Sequence, residues 1–243
     1  MDNKSFTKHI SHRFNEELEE IVNRVMAMGG LVEQQLADAL SALIEGDDER
    51  GEKVLGTDVE VNALEVALDE DCVHVLARRQ PAASDLRLVL AVIKTITDLE
   101  RIGDEAERIG RMAMHLAEIG RGSEVMTEFE HLGNHVRFML RGALDAFARM
   151  DAEHAVLVAK SDIQADRQYE IIMRGLVERM KESPAEVPRM MDFIWAARAL
   201  ERIGDRACNI CEYVIYFVKG KDVRHISVEQ MEERVGVKSE VTE

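Results

Sequence analysis

The pentapeptide Glu-Arg-Ile-Gly-Asp occurs twice, at residues 100–104 and 201–205, each time inside a stretch with helical periodicity. Residues four apart on an α-helix stand one above the other, so Glu100 stacks on Asp104 and Glu201 on Asp205. Following each row backwards gives Val92 and Ile96 in the first copy, and Phe193 and Ala197 in the second. Each carboxylate pair therefore extends an apolar row and is expected at the buried edge of a helix. An exposed like-charge pair at this spacing costs roughly 0.2–0.5 kcal/mol, and partial burial raises that cost. Raised pKa values, the adjacent Arg101 and Arg202, or a bound cation are the available compensations.

The two copies belong to a longer duplication. At an offset of 104 residues Gly29 aligns with Gly133, Leu36 with Leu140, Ala39 with Ala143, Leu40 with Leu144, Asp47 with Asp151 and Asp58 with Asp162. The pentapeptides align at an offset of 101, as a small deletion in a second-half loop would produce. Repetition on this scale implies two stacked copies of one supersecondary unit.

Each unit reads as three long helices. In the first helix, residues 7–45, Leu18, Ile21, Val25, Met28, Val32, Leu36, Leu40 and Leu43 recur at helical spacing. Gly46-Asp47-Asp48 stops it and caps the second, 48–79, which Pro81 ends by disfavouring helix in the residue before it. The third spans 82–119, and Gly120-Arg121-Gly122-Ser123 follows as a C-cap and linker. In the second unit, Thr127 with Glu130 and Ser183 with Glu186 fit capping boxes that would start the fourth and sixth helices. Asp151 is placed to cap the fifth helix and Gly220 to terminate the sixth. Nothing alternates with a period of two for long. The predicted fold is all-α, a tandem duplication of a three-helix bundle. Residues 1–121 form the first repeat, 122–220 the second, and 221–243 a charged tail with at most a short turn at 228–234.

The formal net charge of −16 argues against a general nucleic-acid binder, which needs clustered Lys and Arg to neutralise phosphates. Anionic lipid would also repel the chain, so a cation or a basic patch on a partner protein is the better electrostatic match. No apolar run approaches the roughly 18 residues needed to span a bilayer. The polar start, residues 1–12, lacks a signal-peptide core, so a cytoplasmic location is expected. Three cysteines, Cys72, Cys208 and Cys211, are too few for a disulfide framework and read as small core-facing residues.

Further acids sit on the second helix of each unit. Asp58, Asn62, Glu65 and Asp69 step by four, three and four, tracing one helical face. Their counterparts in the second unit are Asp162, Asp166, Tyr169 and Met173, so the second set is poorer in oxygen. Asn209, one turn after Asp205, offers an additional oxygen there. Such a set suits hard or borderline cations such as Mg, Mn, Ca or oxidised iron, and does not look like structural zinc. A ferritin-like di-iron site would need two Glu-x-x-His pairs, and the one found, Glu128 with His131, lies near a helix start. Gly103 and Gly204 sit inside helices at roughly 1 kcal/mol each relative to Ala, as close helix packing or approach of an ion would require. His74 and His115 read as surface or satisfied core residues, and Met112, Met114, Met190 and Met191 as core filler. No phosphate loop, nucleophile elbow or Cys/His pair is visible, so no enzyme activity is expected.

Together with Arg78-Arg79-Gln80-Pro81 and Asp85-Leu86-Arg87, the duplicated pentapeptide resembles the PhoU family of phosphate-regulatory proteins. Lys8-His9-Ile10-Ser11, Met28-Gly29-Gly30, the stretch 144–150 and the stretch 216–220 extend the resemblance over nearly the whole chain. It implies a cytoplasmic negative regulator of the phosphate-starvation (Pho) regulon and of phosphate uptake. Such a protein acts as an adaptor between the ATPase subunit of a phosphate ABC transporter and a phosphate-sensing histidine kinase. It also implies a homodimer that meets the membrane only through partners. Metal ions, such as Fe, Mn, Mg or Zn, would sit on Glu100 with Asp104 and Glu201 with Asp205, with Asp58, Glu65, Asp69, Asp162, Asp166 and Asn209 as additional ligands. Two rival readings stay open: a metal-free helical interaction protein whose acids face a basic partner, and a carboxylate-bridged metalloenzyme.

Overall fold

The structure, a computed structural model, describes residues 3–119 and 125–236. They form seven α-helices: α1 (Asn3–Glu45), α2 (Asp48–Arg79), α3 (Ala83–Ile119), α4 (Met126–Arg149), α5 (Ala152–Glu182), α6 (Val187–Lys219) and α7 (Val228–Val235). No strand occurs among the described residues. The chain is the expected all-α duplication, with α1–α3 packed as one bundle and α4–α6 as the other. None of the described helices is long and apolar enough to cross a membrane. The expected linker at Gly120-Arg121-Gly122-Ser123 lies outside the described residues.

Local chemistry sets the helix ends. The Asp47 side chain accepts from the Arg50 N–H at 3.1 Å, and Asp151 accepts from Glu153 and His154 at 3.0 and 2.9 Å, so both aspartates cap as expected. Gly220 ends α6 in the left-handed region, with φ +67°. The other two expected caps do not form. Helix α4 starts at Met126 behind Val125, which makes no side-chain cap bond, and Thr127 lies inside its first turn. Burial of Val125 and Phe129 fixes that start in place of a hydroxyl. Ser183 ends α5 instead of starting α6, and a 3-10 turn at Pro184–Glu186 intervenes before Val187. Two prolines explain it: Pro184 opens the 3-10 turn and Pro188 falls in the first turn of α6, positions where the backbone N–H that proline lacks would have no intrahelical partner.

The segment after α6 is more ordered than its charge suggests. Ser227 and Gln230 form a reciprocal capping box at the start of α7. Met231 and Val235 are buried against α5, and Lys160 meets Glu232 at 2.7 Å. Cys72 and Cys211 are buried as expected, while Cys208 is half-buried. Burial pushes the Cys72 thiol up to about 12 and the other two well above the usual range, so none is a thiolate at neutral pH. Met190 fills the core, but Met191 faces solvent.

The two bundles meet along α3 with α6, the most extensive helix pair, and along α1 with α4. The second contact is reciprocal. A Cβ on Gly29 would lie 2.5 Å from Leu144 Cδ2, and one on Gly133 would lie 2.5 Å from Leu40 Cδ2. Glycine and leucine that align in the duplication thus interlock across it, the pattern of an isologous interface about a pseudo-two-fold axis. Gly30 is different, for no atom lies within 4 Å of a Cβ built there. Gly30→Ala is expected to raise the free energy of unfolding by about 1 kcal/mol through helix propensity. Gly29→Val should lower it by about 1–3 kcal/mol through overpacking against Leu144, both read from urea unfolding curves.

Candidate functional site

The third helix of each bundle lines up one apolar row and lifts a carboxylate pair at its edge. Val92 and Ile96 are buried below Glu100, and Phe193 and Ala197 below Glu201. Glu100 and Glu201 are half-buried, while Asp104 and Asp205, one turn further, are exposed.

Acids of the neighbouring helix close on both pairs through the pentapeptide glycine. A Cβ on Gly103 would stand 3.4 Å from Asp58 Oδ1, and one on Gly204 would stand 3.3 Å from Asp162 Oδ1. The missing side chain in each Glu-Arg-Ile-Gly-Asp therefore admits the carboxylate of α2 or α5 to the surface of α3 or α6. The electrostatic consequence is mutual. Glu100 is held above its ordinary pKa by burial first, then by Asp104, Glu65 and Asp58. Asp104 is raised by burial, Asp58 and Glu107. In the second bundle Glu201 is raised by burial, Asp205 and Asp166, and Asp205 by burial and Asp166.

The two clusters are built differently beneath the shared pattern. Asp58 is buried and accepts two amide N–H groups, from Gln35 at 3.3 Å and Asn62 at 3.0 Å. The residues aligned with these donors are Met139 and Asp166, a thioether chain and another acid. Met139 Cε lies 3.7 Å from a Cβ built on Gly204, where the first bundle has Gln35 Oε1 at 3.0 Å from that of Gly103. Asp162 thus has apolar packing and Asp166 where Asp58 has two donors. Burial, followed by Asp166, Asp205 and Glu201, pushes Asp162 up to about 6, eased only slightly by the Cys208 thiol.

Several oxygens in these clusters lack protein partners. Among the described residues Gln35 Oε1, Asn62 Oδ1 and Glu201 Oε2 are buried without a hydrogen bond, although the other Glu201 oxygen meets Arg198. An all-oxygen set with unpaired buried acceptors and mutually raised acids fits a hard cation. The side chains are not closed around a common point: among the described residues no three His, Cys, Asp or Glu groups converge as ligands of one ion. Asp69 is exposed and its charge is felt at Cys72, away from Glu100 and Asp104. Asn209 turns toward the other bundle, its amide donating to Asp98 Oδ1 at 3.4 Å.

Asp98, Glu105 and Gln35 carry roles that the pentapeptide spacing did not single out. Buried Asp98 accepts from Arg206 at 3.0 Å and Tyr213 at 2.8 Å, and buried Glu105 meets Arg202 at 2.9 Å, all across the α3–α6 seam. Arg202 and Arg206 therefore make their ion pairs with the opposite helix, while their charges still ease Asp205 from a distance. A signal for the two acids existed in the spacing of α3. Ala91, Thr95, Asp98, Ile102 and Glu105 step by four, three, four and three along one helical face, and all five are buried.

The fold and site define a class: a helical protein of two duplicated three-helix bundles, each with a carboxylate cluster on its third helix. The PhoU domain model matches residues 25–113 and 129–214, one match in each bundle, and the chain belongs to the PhoU family. It is 51% identical over 231 residues to the phosphate-specific transport system accessory protein PhoU homolog of Pseudomonas putida, covering 95% of this chain and 90% of that protein. It is 46% identical over 232 residues to the Escherichia coli protein named phosphate-specific transport system accessory protein PhoU, covering 96% of each. The crystal structure of PhoU from Pseudomonas aeruginosa superposes with a TM-score of 0.84 at 49% identity, over 86% of this chain and 100% of that one.

The pKa of Asp162 predicts a pH signature. A carboxyl raised to about 6 in the fold favours folding below its ordinary value of 3.8, and that contribution is lost as pH rises through 6. In chelator-containing buffer, Asp162→Asn should match the parent near pH 4. At pH 7.5 it should exceed it by about 1 kcal/mol, a figure discounted for the part-exposed carboxyl. Thermal unfolding at the two pH values measures the difference.

Proposed function

We propose that this chain is a cytoplasmic accessory protein of phosphate transport that restrains phosphate uptake and represses the phosphate-starvation regulon. In this reading it is an adaptor between the ATPase subunit of a phosphate ABC transporter and a phosphate-sensing histidine kinase, works as a homodimer and catalyses no reaction. The observation that carries the reading is close similarity, over at least 90% of both chains, to relatives named for phosphate transport. The acidic surface and the absence of a membrane-crossing helix among the described residues are consistent with contact to the membrane through protein partners.

We further propose that the carboxylate clusters hold cations, with iron, manganese, magnesium or zinc as candidates. Glu100 and Asp104 with Asp58 and Glu65 would serve in the first bundle, and Glu201 and Asp205 with Asp162 and Asp166 in the second. The support is the repulsion itself: acids that raise one another's pKa gain most from a positive charge between them. A bound cation would supply neutralising charge that fastens α2 to α3 and α5 to α6.

Deleting the gene should derepress alkaline phosphatase in phosphate-rich medium; unchanged repression contradicts the regulatory reading. For the metal reading, Mn²⁺ at about a hundredfold excess over its Kd should stabilise the purified protein by about 2–3 kcal/mol. Glu201→Ala with Asp205→Ala should remove a substantial part of that gain, and a parent protein indifferent to every candidate ion would end the proposal.

A further inference from the structure

The outward face of α2 is apolar from Gly56 to Ala77 apart from Glu70. Val59, Val66 and Val73 recur every seven residues and are 69%, 57% and 53% exposed. Gly56, Ala63 and Ala77 interleave with them at three- and four-residue spacing, and all three are exposed. This is the a/d pattern of a helix that packs against another helix, with small residues that let the two backbones approach. Nothing among the described residues covers it, because α2 packs on α1 and α3, which lie on its other side. An exposed apolar stripe of this kind, broken only at Glu70, marks an interaction surface.

The charges beside the stripe say what fits. Glu70 occupies the a/d position between Val66 and Val73, Glu52 the one before Gly56, Glu60 and Asp69 flank the stripe, and all four are exposed. Of the nearby cations, Lys53 is turned to Asp38 at 2.7 Å and Arg50 to Asp47 at 3.0 Å, while Arg78 stands at the far end of the helix. The stripe is interrupted in the second bundle: α5 keeps exposed Ile163 and Val177 where α2 has Val59 and Val73, but Arg167, Glu170 and Arg174 stand where α2 has Ala63, Val66 and Glu70.

We propose that the outward face of α2 docks an amphipathic helix of another protein, apolar at heptad spacing and flanked by Lys and Arg. The inference rests on the adaptor reading and supplies a surface for it. A second copy of this chain fits less well. Pairing α2 with α2 about a two-fold axis sets each flank beside its own copy, so Asp69 and Glu70 would meet the same acidic row. Pairing α2 with α5 of another copy joins opposite outer sides of the molecule, a head-to-tail contact that builds rings or filaments and not a two-fold dimer.

The test uses the full chain and a synthetic helical peptide of about three heptads, Leu at a and d and Lys at e and g, with fluorescence anisotropy as readout. Binding should weaken at least about tenfold in the variant carrying Val59→Ser, Val66→Ser and Val73→Ser, which leaves the charge unchanged. The α5 control, Ile163→Ser with Ile171→Ser and Val177→Ser, should bind as the parent does. Circular dichroism checks folding, and Val66→Ser alone serves if the triple variant loses helix. An α2 variant that binds within about twofold of the parent, or a loss matched by the α5 control, overturns the proposal. So does a parent dimer in sedimentation that the α2 variant dissolves, because the second copy then owns the face. In cells, the α2 variant should derepress alkaline phosphatase. If deletion derepresses and the α2 variant does not, the surface is wrong and the adaptor reading stands; if deletion itself has no effect, the adaptor reading fails.

Discussion

The seam between the two bundles is the contact on which the rest of the structure depends. Leucine from each repeat fills the space over a glycine of the other, which holds α1 against α4 closely enough for α3 and α6 to pack along their length. Into that apolar seam the chain places two buried acids, Asp98 and Glu105, and meets them with Arg202, Arg206 and Tyr213 from the opposite helix. Burying a carboxylate is costly unless it is paired, so these partners fix the register of α3 on α6. The pentapeptides lie on the same two helices, and that register therefore also sets where the carboxylate clusters stand.

Duplication gave both bundles one plan, but the clusters have diverged in what lies underneath. In the first, Gln35 and Asn62 supply N–H groups to Asp58. In the second, Met139 and Asp166 stand at the aligned positions and the carboxyl of Asp162 rises to about 6. An acid with only a thiol to donate to it in a poorly solvated place has two remedies, a proton or a cation, and their balance shifts with pH. The second cluster is thus the more sensitive of the two to what is bound near it, although the sequence makes it the poorer in oxygen.

Much of this was legible in the sequence because helices advertise their buried face by spacing alone. The apolar rows beneath Glu100 and Glu201 were readable at four-residue steps, as were the aspartate caps at Asp47 and Asp151 and the glycine end of α6. Thr127 and Ser183 misled because a capping motif records only local preference. Burial of Val125 and the rings of Pro184 and Pro188 outweighed a hydrogen bond of about 1 kcal/mol. Periodicity put Asp69 and Asn209 on the acidic rows of their helices, but a helical face is broad, and the neighbour that each side chain met was not encoded in its own helix.

The sequence by itself determined the helices, their duplication and the pairing of acids within one helix, since each depends on residues within a few positions of one another. Only the tertiary structure decided which helices touch. That choice brought Asp58 over Gly103 and Asp162 over Gly204, paired Arg202 and Arg206 with acids of the opposite bundle, and left the valines of α2 uncovered. The physical reason is that contacts between helices depend on relative orientation and on the volumes of side chains far apart in the chain. Periodicity, which reports one helix at a time, carries no record of either.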